Sequence, residues 1–133
     1  MSLEDKLSGI WLSRYEYETS SKPGKQEAEH YVLVRRFGHE LLIESLPHTN
    51  LSKMRVHLTV KNSIATGTWE EHQPKAHEEK GAVYNGAAQL IIDPESLTMR
   101  GKWVGFSSNL HIKTGLWEFT RVGDRNFKPE KDL

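Results

Sequence analysis

Between positions 54 and 61, Met54, Val56, Leu58 and Val60 alternate with Arg55, His57, Thr59 and Lys61. A β-strand turns successive side chains to opposite faces, so this run fits a strand with one dry face and one wet face. On a helix the same apolar residues would scatter around the axis. The pattern recurs in Met99, Gly101, Trp103 and Gly105, which alternate with Arg100, Lys102 and Val104. Reading the chain this way predicts strands at about 9–18, 28–37, 40–46, 53–61, 63–71, 82–93, 98–106 and 112–122. No long helix is expected. The first seven residues could form a short helical turn.

The connections constrain the topology. Phe37-Gly38-His39-Glu40, Lys61-Asn62-Ser63 and Asp93-Pro94-Glu95-Ser96 read as tight turns. Segments 19–27, 47–52, 72–81 and 107–111 are longer. Long and short connections alternate along the chain. In an up-and-down meander this gathers all long loops at one end, the mouth, and all tight turns at the other. Eight antiparallel strands with no helix to cover an edge are best closed into a barrel. The fold expected is therefore all-β, an eight-stranded antiparallel up-and-down barrel, with an open sandwich as its competitor. One domain over 8–122 is expected, with flexible termini at 1–7 and 123–133.

Composition narrows the partners. Lys+Arg 18 balance Asp+Glu 18, so no basic field favours nucleic acid. No apolar run approaches the ~20 residues of a membrane helix. The start Met1-Ser2-Leu3-Glu4-Asp5-Lys6 has no apolar signal core, which predicts a cytoplasmic protein. The absence of cysteine removes thiol catalysis and Cys-based zinc sites. Oligomeric state is left open.

The first and last strands carry a resemblance. Gly9-Ile10-Trp11 near the start and Arg121 near the end resemble the Gly-x-Trp and terminal Arg of the calycins, the lipocalin-like superfamily. In that superfamily the pair closes the bottom of the barrel, which implies the same structural role for Trp11 and Arg121, with the Arg lying over the Trp ring. Several further runs look like an uncharacterised bacterial domain often found after a helix-turn-helix DNA-binding domain. They include Ser13-Arg14-Tyr15-Glu16-Tyr17, Ser45-Leu46-Pro47-His48, Ala65-Thr66-Gly67-Thr68-Trp69, Gly101-Lys102-Trp103-Val104-Gly105-Phe106 and Gly115-Leu116-Trp117-Glu118. The likeness spans Ser8 to Val122 and implies a sensor or interaction module. This chain carries no helix-turn-helix, so DNA binding is not implied. Leu12-Ser13-Arg14 after Trp11 departs from the pattern of haem-binding relatives, so no haem or other cofactor is expected.

The barrel geometry sorts residues by height. Trp11, Phe37, Leu41, Ile43, Val60, Ile64, Leu90, Ile92, Met99, Trp117 and Phe119 fall near the closed end, as a packed core. Toward the mouth, Trp11's parity continues through Ser13, Tyr15 and Tyr17. Trp69, Tyr84 and Trp103 fall at similar height, offering rings with hydroxyl and indole donors. Placed polar groups on apolar walls are the usual make-up of a pocket. Gly67, Gly86, Gly101, Gly105 and Gly115 lie inside strands, where glycine marks either curvature or space for a ligand. Ordinary packing is the bland reading of the aromatic group.

His48, His72, His77 and His111 all fall at the mouth, but their spacing is that of exposed loop histidines and no metal site is expected. His48 is the best candidate among them. Glu70 and Glu71 face opposite sides, so only one can look inward. Glu71 on Trp69's parity would put a carboxylate beside aromatic hydroxyls, while a rim charge paired with Lys75 or Lys80 is the simpler role. The expected ligand-binding set is Tyr15, Tyr17, His48, Trp69, Glu71, Tyr84 and Trp103. The function expected is binding or sensing of a small, partly apolar or aromatic molecule. The alternatives are an enzyme using Glu71, Tyr84 or His48 for acid–base chemistry in the same cavity, and a regulatory interaction module with a filled barrel.

Overall fold

In the computed structural model, residues 6–18, 23–47, 52–72, 83–106 and 111–128 are described. Eight strands follow in order: β1 (Gly9–Glu18), β2 (Lys25–Phe37), β3 (Glu40–Ser45), β4 (Lys53–Lys61), β5 (Ile64–His72), β6 (Val83–Asp93), β7 (Thr98–Phe106) and β8 (Ile112–Gly123). Each pairs antiparallel with the next, and β8 returns to β1, closing the barrel. The up-and-down barrel expected from the alternating connections is thus the observed fold. No helix among the described residues is long and apolar enough to cross a membrane.

The alternation works as expected. Met54, Val56, Leu58 and Val60 of β4 are buried, and Arg55, His57, Thr59 and Lys61 are exposed. The outer face is laced by cross-strand ion pairs, among them Arg14–Glu29 at 3.1 Å and His57–Glu40 at 2.8 Å. Exposed pairs of this kind contribute little each.

Two predicted core residues are corrected. Phe37 is 61% exposed and Ile64 is 43% exposed. Hydrophobicity pointed inward, but parity decides. The inward set of β2 runs through His30, Val32 and Val34, which turns Phe37 out. The inward set of β5 starts at Ala65, so Ile64 faces outward beside Ile91, its register partner. β2 also begins three residues earlier than expected, because Lys25–Glu27 pair with the end of β1. Those residues are polar on both faces, so no hydrophobic alternation marked them.

The closed end shows why Gly9, Trp11 and Arg121 occur together. Trp11 and Arg121 are register partners across the β1–β8 seam, beside a register shift at Ile10/Trp11. The Trp11 indole is fully buried, and its Nε1 donates to the Leu7 carbonyl at 2.8 Å. The Arg121 guanidinium donates to the Ser8 carbonyl at 3.3 and 3.1 Å. Both side chains therefore fasten the short turn that precedes β1. Gly9 has φ 148, and a Cβ there would stand 2.4 Å from the Gly123 carbonyl oxygen and 3.0 Å from the guanidinium. Only glycine lets the chain pass so close to the arginine. The 1–7 boundary leaves Leu7 outside the barrel domain, yet its side chain is fully buried in the core.

Candidate functional site

Above this core the barrel opens into a chamber of about 460 Å³. Tyr15, Tyr17, Trp69, Glu71, Tyr84 and Trp103 all line it. His48 lies outside the described residues, as do His77, Lys75 and Lys80. His72 ends β5 on its outer face, 3.8 Å from Glu70. His111 is exposed. No cluster of three or more His, Asp or Glu that could hold a metal occurs among the described residues.

The inward parity of each strand positions these side chains. Tyr15 and Tyr17 continue the face of Trp11 and Ser13 along β1. Trp69 and Glu71 share the inner face of β5. Glu71 pairs in register with Met54 on one side and Tyr84 on the other, both on inner faces. Glu70 sits between Arg55 and Asn85 on the outside. The inward carboxylate is thus Glu71, and its Oε2 accepts a hydrogen bond from the Ser52 hydroxyl at 2.8 Å.

Trp117, expected in the lower core, does double duty. It is only 2% exposed, and it also lines the chamber as its floor. Its Nε1 donates to Ser13 Oγ at 2.8 Å. Around it the rings interlock edge to face. Tyr15 lies 6.0 Å from Trp117 with planes at 67°, and Trp69 lies 6.4 Å from it at 88°. Trp103 meets Trp69 at 5.8 Å and 88°. Such tilted contacts set the positive edge of one ring on the negative face of another and add stability beyond burial.

The indole donors expected for a ligand are already committed. Trp69 Nε1 is shared between the Ala87 and Val104 carbonyls, each at 3.2 Å. Trp103 Nε1 donates to the Glu16 carbonyl at 2.9 Å. The tryptophans therefore offer ring surface to the chamber, while polar contact falls to the tyrosine hydroxyls and Glu71. The glycines serve the same rings. A Cβ at Gly86 would stand 2.7 Å from the Trp69 ring, and one at Gly105 2.6 Å. These two residues are register partners on β6 and β7, so together they form a seat for the indole. Gly105 also lines the chamber, so its missing side chain serves both the Trp69 ring and the open space beside it.

Several lining residues went unrecognised in the sequence, including Ala28, Met54, Glu18, Phe106 and Lys113. Ala28 and Met54 could have been found from parity alone. Lys113 looked like any exposed strand lysine. His30 was also passed over. It is 6% exposed on the inner face of β2, with its ring 5.8 Å from Tyr15 at 77°.

The Tyr15 phenol is pushed well above its ordinary value of 10.0, first by burial and then by the negative charges of Glu71 and Tyr17. Tyr15 thus stays a neutral hydroxyl at physiological pH. Since the folded value is raised, the fold keeps the full contribution of this group below about pH 10 and loses it progressively above. In an ultraviolet titration at least one tyrosine should resist ionisation after the others have titrated. A Tyr15→Phe variant should lack that late step, whereas an unchanged titration would contradict the assignment.

The fold and chamber define a class: a closed eight-stranded antiparallel barrel with a packed lower half and an aromatic chamber at the mouth. No known protein-family profile matches the chain, and no characterised protein matches it closely enough to count as a relative.

Proposed function

We propose that this chain is a binding or sensing protein that captures a small, partly apolar or aromatic molecule in the mouth chamber without covalent chemistry. The observation that carries the reading is a chamber of about 460 Å³ walled by aromatic rings, its three indoles donating to protein acceptors and its tyrosine hydroxyls left for a ligand. That volume falls in the range of small-molecule pockets, roughly 300–1,000 Å³, with few polar groups on apolar walls. A filled-barrel interaction module has less support, since the upper half is open. The Trp11–Arg121 closure supports kinship with the calycin-like barrels. The likeness to the bacterial domain supports a cytoplasmic sensing role.

Acid–base catalysis in the same chamber is a second reading, favoured by the inward Glu71. Tyr15 works against it as a base, because burial and neighbouring charge hold its proton.

Native mass spectrometry of the purified full chain, together with tryptophan fluorescence against a metabolite panel, tests the reading. A bound mass or a saturable quench without turnover is expected. Ala28 lines the chamber opposite Tyr15 in register, so Ala28→Phe puts a ring into the space. The variant should fold and bind at least about tenfold more weakly, since a filled site loses the contacts that gave affinity. Undiminished capture by Ala28→Phe would move the site elsewhere, and turnover of the captured molecule would favour the enzyme.

A further inference from the structure

The chamber's charge pattern points to a ligand class. Among the described residues, its charged lining groups are Glu18, Glu71 and Lys113. Lys113 is exposed on the last strand, and its Nζ donates to the Glu18 backbone carbonyl at 3.4 Å. Both therefore belong to the rim. Glu71 is half-buried and shares the inner face of the barrel with Trp69. It follows Trp69 on that face, with Tyr84 opposite in register, and Trp69 meets the Trp117 floor edge to face.

An anionic ligand would meet Glu71 in that space, while the one Lys or Arg among the described lining residues is Lys113 at the rim. A neutral ring would fill the volume but leave the carboxylate, which accepts from the Ser52 hydroxyl, without a cationic partner among the described residues. A cationic nitrogen satisfies both features. A carboxylate in a site walled by low-dielectric rings attracts a cation far more strongly than it would in water. The rings of Tyr15, Tyr84, Trp69 and Trp117 present π-electron density that adds to the attraction. The three chamber tryptophans are already bound through their N–H groups. The remaining hydroxyls of Tyr15, Tyr17 and Tyr84 can accept hydrogen bonds from an ammonium.

We propose that the chamber selects a molecule bearing a protonated amine or quaternary ammonium on a ring or short apolar body, with the cation held by Glu71 and the surrounding rings. This inference rests on the binding reading above and names the ligand class of the same site. The neighbouring field supports it, since the Tyr15 phenol responds to the negative charge of Glu71.

The test is calorimetry and tryptophan quenching on the full chain with three probes of like shape: phenethylamine, 2-phenylethanol and 3-phenylpropanoate. The amine is expected to bind at least about tenfold tighter than the alcohol, the scale of one charge-assisted contact. The carboxylate should bind weakest. Glu71→Gln keeps an acceptor for Ser52 and removes the charge. It should erase the amine's advantage over the alcohol, since the charge that distinguishes the two probes is gone. If alcohol and amine bind equally, or Glu71→Gln leaves the amine's advantage intact, the cation inference falls and the binding reading stands. If none of the three binds, both fall.

Discussion

Gly86→Ala is expected to lower stability by about 3 kcal/mol, the upper end of overpacking costs, and the melting temperature by roughly 10 °C. A Cβ at Gly86 would stand 1.9 Å from the Val104 carbonyl oxygen and 2.7 Å from the Trp69 ring. The carbonyl belongs to the paired backbone of β7 and cannot swing aside as a flexible side chain would. The indole is also packed edge to face against Trp103 and Trp117. Relief requires β6 and β7 to part or the ring to leave its seat. Either change alters the chamber, so the variant should also show a shifted tryptophan emission and weakened ligand capture. Gly38→Ala makes the control. Gly38 has φ 60 in a tight turn, and an added Cβ meets nothing within 4 Å. Its cost should be only the left-handed backbone penalty, about 1–2 kcal/mol. Thermal melts that rank the two variants the other way would remove the seat from the account.

Trp11→Ala should be the most damaging single truncation at the closed end, costing about 3–5 kcal/mol. The ring is fully buried beside Leu7 and other core side chains, so its loss leaves a cavity bounded by strands already fixed by pairing. It also strips the Leu7 carbonyl of its 2.8 Å donor. Trp11→Phe separates the two effects. It keeps most of the buried area and removes the N–H, so it should cost less than Trp11→Ala while exceeding about 1 kcal/mol, the scale of an unmet buried acceptor. Urea denaturation followed by circular dichroism gives both values. If Trp11→Ala unfolded at the wild-type midpoint, the closed end would not be anchored by this residue. Because the chamber lies at the other end, the folded fraction of Trp11→Phe should keep its ligand affinity, which distinguishes an anchor from a binding residue.

The alternation of long and tight connections made closure legible, since it depends only on where turn residues interrupt the period of two. Parity then gave the facing of Tyr15, Tyr17, Trp69, Tyr84 and Trp103, all of which line the chamber. Resolving Glu70 from Glu71 needed only the facing of Trp69, once that was seen. Phe37 and Ile64 face outward because parity, not hydrophobicity, sets the facing of a strand residue. His30 stands between Ala28 and Val32 on the inner face, a place that the period of two in β2 encodes although a polar residue there breaks the apolar pattern.

What the sequence determined by itself was therefore local and periodic: eight strands, their facing, and the end of the barrel at which each side chain sits. What only the tertiary structure decided was which strands' residues meet across the barrel. Gly86 and Gly105 come from different strands than the indole they seat, and Trp117 reaches Ser13 on a strand 104 positions away in sequence. Strand facing follows from backbone geometry one residue at a time. Register across the tight turns follows from the turns and the period of two, whereas the β1–β8 seam and the ring packing follow from closing the whole sheet.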